Sequence, residues 1–245
     1  EELSKIYEQR LEDVYPCCSV TQAEEPVTVR YGERGLLAPR VGHAKPHVLI
    51  PAFPGTNCEY DTARAFARAG ADPEILVIRN LTPQAIAESL QAVAAALERS
   101  QILAFPGGFS GGDEPDGSGK FITAFFRDAR LVEAVSALLE QRDGLVLGIC
   151  NGFQALIKLG LVPFGRIMPP SAAAPTLTYN TIGRHQSKLV RVRVSSLRSP
   201  WLMHYHLDEV ETVAISHGEG RFICSPELFT QLALNGQIAG QYVDL

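Results

Sequence analysis

A cysteine stands between two glycines in Gly148-Ile149-Cys150-Asn151-Gly152, directly after the apolar run Leu145-Val146-Leu147. This is the G-x-nucleophile-x-G pattern of a sharp strand-to-helix turn, in which small flanking residues let the backbone bend and leave the central side chain exposed. Cys150 therefore reads as a nucleophile, against the bland reading of a buried cysteine as an inert small hydrophobe. The helix expected over Asn151 to Leu159 points its positive end at the sulfur and favours thiolate. Gln154, four residues after Cys150, falls on the same face at the mouth of that helix.

A cysteine nucleophile needs a base, and the promising segment is Val213-Ala214-Ile215-Ser216-His217-Gly218-Glu219-Gly220-Arg221-Phe222. If it is extended, residues two apart point the same way, so His217 and Glu219 project from one face. A carboxylate beside an imidazole orients the ring and stabilises the imidazolium, as the third member of a triad does. The competing reading is a solvated polar turn after a strand.

A third element is Ile102-Leu103-Ala104-Phe105-Pro106-Gly107-Gly108-Phe109-Ser110-Gly111-Gly112-Asp113, an apolar strand running into a glycine-rich loop. Such a loop can aim backbone N–H groups at an oxyanion, and the N–H of Asn151 supplies a second donor from the helix start. Phosphate binding competes with this reading, but the loop has no Gly-Lys-Ser/Thr ending and no G-x-G-x-x-G opening a helix. A purely structural turn remains open for an isolated Gly-Gly.

Together, Pro106-Gly107-Gly108, Gly148 to Gln154 and His217-Gly218-Glu219 resemble a class I (triad) glutamine amidotransferase domain. The stretches Phe53-Pro54-Gly55-Thr56-Asn57-Cys58-Glu59, Gly108 to Asp113 and Ser216 to Phe222 narrow the resemblance to the glutaminases of phosphoribosylformylglycinamidine synthases. In particular they resemble the C-terminal part of the single-chain enzymes. The resemblance covers about residues 47 to 245 and implies a doubly wound, flavodoxin-like α/β fold. It implies Cys150 as nucleophile, His217 as general base and acid, and Glu219 as the residue orienting the histidine. The oxyanion donors would be the backbone amides of Gly108 and Asn151, with Gln154 contacting the bound glutamine. The implied reaction hydrolyses L-glutamine to glutamate and ammonia through a cysteine thioester. The ammonia would serve ATP-dependent conversion of formylglycinamide ribonucleotide to its amidine in purine biosynthesis. The resemblance also implies no cofactor in this domain, with ATP and magnesium confined to the synthase domain, which is its expected partner. A cysteine hydrolase or peptidase on the same scaffold and a non-catalytic regulatory module are the alternatives.

These groups need elements to hold them, and from His47 onward strand and helix patterns alternate. Val48 to Phe53, Glu74 to Ile78, Ile102 to Phe105 and Leu145 to Ile149 read as strands. Glu59 to Ala69, Leu131 to Gln141 and a helix opened by Thr82-Pro83 and running to about Glu98 lie between them. Alternation of this kind predicts a mostly parallel sheet with helices on both faces. The loops at Pro54, Pro106 and Cys150 all follow strands and so gather at the carboxyl edge, where such sheets place active sites. Leu189 to Val194 and Ile238 to Val243 are expected as further strands and Pro226 to Asn235 as a last helix. Arg184 to Lys188 reads as a solvated turn.

The chain divides near residue 46. Glu1 to Pro16 is spaced like a short amphipathic helix, and residues 17 to 46 are mixed and broken by prolines. The chain does not open on methionine, and residues 1 to 46 are expected to be the tail of a preceding synthase domain, leading into a glutaminase domain over 47 to 245. A hydrophobic content of 46% suits one α/β domain with an ample core. A net charge of −5 without a basic stripe argues against nucleic acid as a partner. No run approaches the ~20 apolar residues of a membrane span, and no signal peptide is apparent, so a cytoplasmic protein is expected. The five cysteines, Cys17, Cys18, Cys58, Cys150 and Cys224, are expected to be reduced thiols. Neither Cys17-Cys18 nor His204-Tyr205-His206 has zinc-site spacing, and no metal is expected.

Overall fold

The computed structural model describes residues 2–3, 6, 9–12, 14, 27–35, 42–109 and 119–243. Half of the N-terminal helix expected over Glu1 to Pro16 lies outside them; Gln9–Leu11 form a 3-10 helix, and Leu3, Ile6, Leu11 and Val14 are exposed. Cys17 and Cys18 also lie outside the described residues, as do residues 110–113 of the glycine-rich loop. The chain forms two compact units, one of Gly35–Leu177 with Ile223–Leu232, the other of Glu1–Arg34, Thr178–Phe222 and Ala233–Leu245.

The larger unit is built on strands β1 (His47–Ala52), β2 (Asp72–Val77), β3 (Ile102–Phe105) and β4 (Leu145–Gly148), all parallel in the order β2-β1-β3-β4. A parallel sheet covered on both faces needs strands that are apolar throughout. Val48, Ile50 and Ala104 pack into one buried cluster, which Ala63 and Phe66 of helix α1 (Glu59–Arg68) adjoin. Leu49, Leu103 and Phe105 point the other way. They meet residues of α2 (Pro83–Arg99), α3 (Lys120–Phe126), α4 (Ala129–Ser136) and α5 (Asn151–Leu159). Phe53, Phe105 and Phe126 pack through tilted and edge-to-face contacts in this second core. Each fully buried Leu, Ile, Val or Phe side chain contributes roughly 1.5–3 kcal/mol, so this layer stabilises the sheet far more than any single surface pair.

Local signals agree with these elements. Thr82 accepts the Ala85 N–H at 3.1 Å and is followed by Pro83 at the first helical position, a cap that contributes about 1 kcal/mol. The helix expected over Leu131 to Gln141 starts earlier, at Ala129, where the Asp128 side chain accepts the Arg130 N–H, and widens to a π-helix over Ala137–Gln141. Helix α3 was not assigned from sequence.

In the smaller unit β6 (Gln186–Val194) lies between two antiparallel neighbours, β7 (Val210–His217) and β9 (Gly240–Val243). The two remaining short strands of the chain are β5 (Thr176–Thr178) and β8 (Arg221–Ile223), whose residues are divided between the two units. The turn expected over Arg184 to Lys188 is corrected here, because Gln186, Ser187 and Lys188 pair with His217, Ser216 and Ile215. Pairing with a remote strand has overridden a locally polar sequence. Residues of the 27–35 stretch join this unit: Val29 donates its N–H to Gln241 Oε1 at 2.8 Å, and Tyr31 bridges to Ser196.

Candidate active site

Cys150 sits where the sequence reading placed it, between the end of β4 and the first turn of α5. Its backbone has φ 52° and ψ −110°, a positive φ that a β-substituted residue adopts at a cost. The two flanking glycines make the turn possible by close approach. A Cβ on Gly152 would fall 2.2 Å from the Phe105 carbonyl oxygen, and one on Gly148 would fall 2.6 Å from Leu156 Cδ1. The strained turn leaves Cys150 exposed at the amino end of a helix.

The loops after β1, β3 and β4 converge at the carboxyl edge of the sheet. A Cβ built on Gly107 would lie 3.4 Å from Cys150 Cβ and 3.6 Å from Cys58 Sγ, so both cysteines border the same glycine. Gly108, at φ 139°, presses against the loop after β1; any side chain there would meet the Gly55 carbonyl oxygen at 2.4 Å. The bridge between these loops is closed by Asn57 N–H on Gly107 C=O and by Phe109 N–H on Gly55 C=O, at 3.3 and 2.7 Å. It therefore consumes neither polar backbone group of Gly108 itself. The amide of Asn151 lies in the first turn of α5. Gln154 is buried, and its Oε1 accepts from Asn151 Nδ2 at 3.3 Å.

His217, Glu219 and their surroundings belong to the other unit. Strand β7 ends at His217 and the chain bends at Gly218, so the continued extended segment expected through Glu219 is corrected. The imidazole lies over Gly220, where a Cβ would come within 2.2 Å of Cε1. Burial, and then the positive charge of His185, hold the His217 pKa below the ordinary imidazole value. The ring is accordingly neutral at neutral pH and can accept a proton. At Nδ1 the ring faces Asn180 Oδ1, a hydrogen-bond acceptor 3.0 Å away, on a residue that sequence reasoning did not single out.

Cys58 and Cys224 are half-buried, and burial pushes both thiols up. Limited treatment with iodoacetamide near neutral pH is therefore expected to label Cys150 ahead of Cys58 and Cys224, with mass-spectrometric peptide mapping as the readout. Preferential labelling of Cys58 or Cys224 in the folded chain contradicts an activated Cys150. Among the described residues no group of three or more His, Cys, Asp or Glu side chains could hold a metal ion. No helix there is long and apolar enough to cross a membrane.

Residues 45–245 match the CobB/CobQ-like glutamine amidotransferase domain. The chain belongs to that family. It is 35% identical over 189 residues to the phosphoribosylformylglycinamidine synthase subunit PurQ of Dehalococcoides mccartyi, covering 77% of this chain and 68% of that protein. To the subunit of the same name from Methanococcus maripaludis it is 32% identical over 203 residues, covering 81% of this chain and 67% of the other. A structure of PurLQS from Thermotoga maritima superposes with a TM-score of 0.57 over 82% of this chain and 76% of that one. At 23% identity this last likeness is one of fold, the class I glutamine amidotransferase-like α/β fold with its parallel sheet. Within the family the chain is a PurQ-like glutaminase, the glutamine-hydrolysing component of a glutamine-dependent ligase in purine biosynthesis. This decides among the readings that the residues left open, in favour of amidotransferase chemistry over peptide cleavage or docking alone. These relatives are named as subunits, where the sequence reading expected the C-terminal part of a single-chain enzyme.

Proposed function

We propose that this amidotransferase works through a Cys150, His217 and Glu219 triad. Cys150 attacks the side-chain amide carbon of L-glutamine, and His217 passes a proton to the leaving ammonia. Water activated by the same histidine then hydrolyses the thioester to glutamate. Glu219 supplies the negative charge that steadies the imidazolium. The oxyanion of both tetrahedral intermediates is received by the backbone amides of Gly108 and Asn151, and each such donor contributes about 3 kcal/mol to the barrier reduction. Gln154 contacts the glutamine from a carboxamide already shared with Asn151. The observation that carries this reading is the positive-φ turn at Cys150, at the sheet edge where the Gly107-Gly108 loop also lies.

The ammonia serves a synthase partner, which converts formylglycinamide ribonucleotide to its amidine with ATP and magnesium. The glutaminase half-reaction itself requires no cofactor, and the chain works in the cytoplasm on L-glutamine rather than on nucleic acid or a membrane. Residues 1 to 46 are the linker or tail of a preceding synthase domain, leading into the glutaminase over 47 to 245. Uncoupled hydrolysis would release ammonia unused, so the partner is expected to settle the glycine-rich loop and raise turnover. Glutamate release measured with and without the synthase, nucleotide and formylglycinamide ribonucleotide is expected to differ by at least about tenfold, equivalent to ~1.4 kcal/mol of barrier. Equal rates would show that the hydrolytic site needs nothing from the partner.

A further inference from the structure

Asn180 follows β5 and is buried, 9% exposed. A buried carboxamide has to satisfy both ends, and this one does so with four bonds. Nδ2 donates to the His217 carbonyl at 2.7 Å and to the Arg184 carbonyl at 3.1 Å. Oδ1 accepts the Gly220 N–H at 3.2 Å and lies 3.0 Å from His217 Nδ1. The Asn180 backbone N–H adds a bond to the Gly218 carbonyl at 2.8 Å.

These partners determine which way the amide faces. Rotated by half a turn, it would set an oxygen against two carbonyls and an NH₂ against the Gly220 N–H. With Oδ1 fixed as the acceptor, His217 Nδ1 must be the protonated nitrogen, and Nε2 carries the lone pair. The backbone on both sides of the imidazole, at residue 217 and at Gly220, is held by the same carboxamide. Gly220 has no side chain to displace the ring lying over it.

We propose that Asn180 is the positioning residue of His217: its carboxamide selects the Nδ1–H tautomer and presents Nε2 as the proton acceptor. This rests on His217 being the base of the glutaminase. Asn180 touches no substrate in this role. It does for the neutral ring what a carboxylate partner does for the cation, and Glu219 is left to act on the imidazolium. A wrong tautomer offers an N–H where the base must offer a lone pair, so its loss falls on kcat rather than on glutamine affinity.

Two variants test this in the full chain assembled with its synthase. Asn180→Leu keeps the volume and removes all four side-chain bonds. Asn180→Asp keeps an acceptor at Nδ1 and places a new negative charge there. Asn180→Leu is expected to lower kcat for glutamate release at least about thirtyfold with KM changed less than about threefold. Nitrogen-15 correlation spectra of the His217 ring are expected to lose the Nδ1–H tautomer. In Asn180→Asp the added carboxylate favours the imidazolium, so the His217 pKa rises and the acid limb of the kcat profile moves to higher pH by about one unit. His185, which lowers the His217 pKa, is unchanged in both variants, as are Glu219 and Arg184. A purely structural clip would lower thermal stability in Asn180→Leu and leave the tautomer in place. That result, or a kcat above half of the wild-type value in a folded Asn180→Leu chain, overturns the proposal. If Asn180→Leu does not fold, the acid limb of Asn180→Asp decides alone: a shift supports the role and an unmoved limb overturns it. Absence of Cys150-dependent turnover in the unmodified assembly would instead refute the glutaminase reading on which the role rests.

Discussion

Replacing Cys150 with alanine is expected to reduce glutamine hydrolysis at least about ten-thousandfold while ammonia-dependent amidine synthesis by the complete synthase persists. A nucleophile is required for every turnover of the first half-reaction, and its removal leaves only the background supplied by oxyanion donors and substrate binding. Exogenous ammonia bypasses that half-reaction. The substitution also costs little structure, because Cys150 is exposed at its turn and alanine keeps the Cβ. Parallel assays of glutamate release and of synthesis from ammonium chloride separate the two activities. Glutamine turnover above about a tenth of the parental rate contradicts the nucleophile assignment, and equal loss of both activities points to misfolding.

His217→Ala is expected to lower glutamine turnover by about a thousandfold or more, and Glu219→Gln by at least about tenfold less than that. The histidine moves protons in both half-reactions, whereas the carboxylate acts on the ring that moves them. Asn180 already holds Nδ1, so losing the charge of Glu219 leaves the ring oriented. The pH profile carries the same content. Burial and the His185 charge lower the His217 pKa, so the base stays unprotonated to more acidic pH than a free imidazole. The acid limb of kcat is therefore expected below the ordinary histidine range. A limb at or above that range, or a Glu219→Gln variant worse than His217→Ala, shows the roles to be wrongly assigned.

The parallel sheet was legible because its strands, buried in β1 and β3 and half-buried in β4, read as short apolar runs ended by glycine or proline. Leu145-Val146-Leu147 and Ile102 to Phe105 are examples, and the positions of Cys150 and Gly108 followed directly from them. Helix α3 was not legible. Its sequence Lys120-Phe121-Ile122-Thr123-Ala124-Phe125-Phe126 is rich in aromatic and β-branched residues, which carry strand preference, and burial of Ile122, Phe125 and Phe126 overrides it. The antiparallel sheet is half-exposed, with Leu189, Val210 and Val213 open to solvent, so its pattern lacks the clean alternation of a one-sided sheet. Asn180 could not be found by spacing at all. In Tyr179-Asn180-Thr181-Ile182-Gly183 it has the appearance of an ordinary turn former, and its decisive partner is 37 residues away.

Trapping the acyl-enzyme tests the central assignment most directly. The complete synthase, turning over glutamine labelled at its side-chain carbonyl carbon, is quenched in acid and digested, and the labelled peptide is identified by mass spectrometry. Cys150 is predicted to carry a γ-glutamyl thioester that is cleaved by hydroxylamine and is absent from the Cys150→Ala assembly. Label on Cys58, Cys224 or any other residue would contradict that assignment, as would steady glutamate release from the Cys150→Ala assembly.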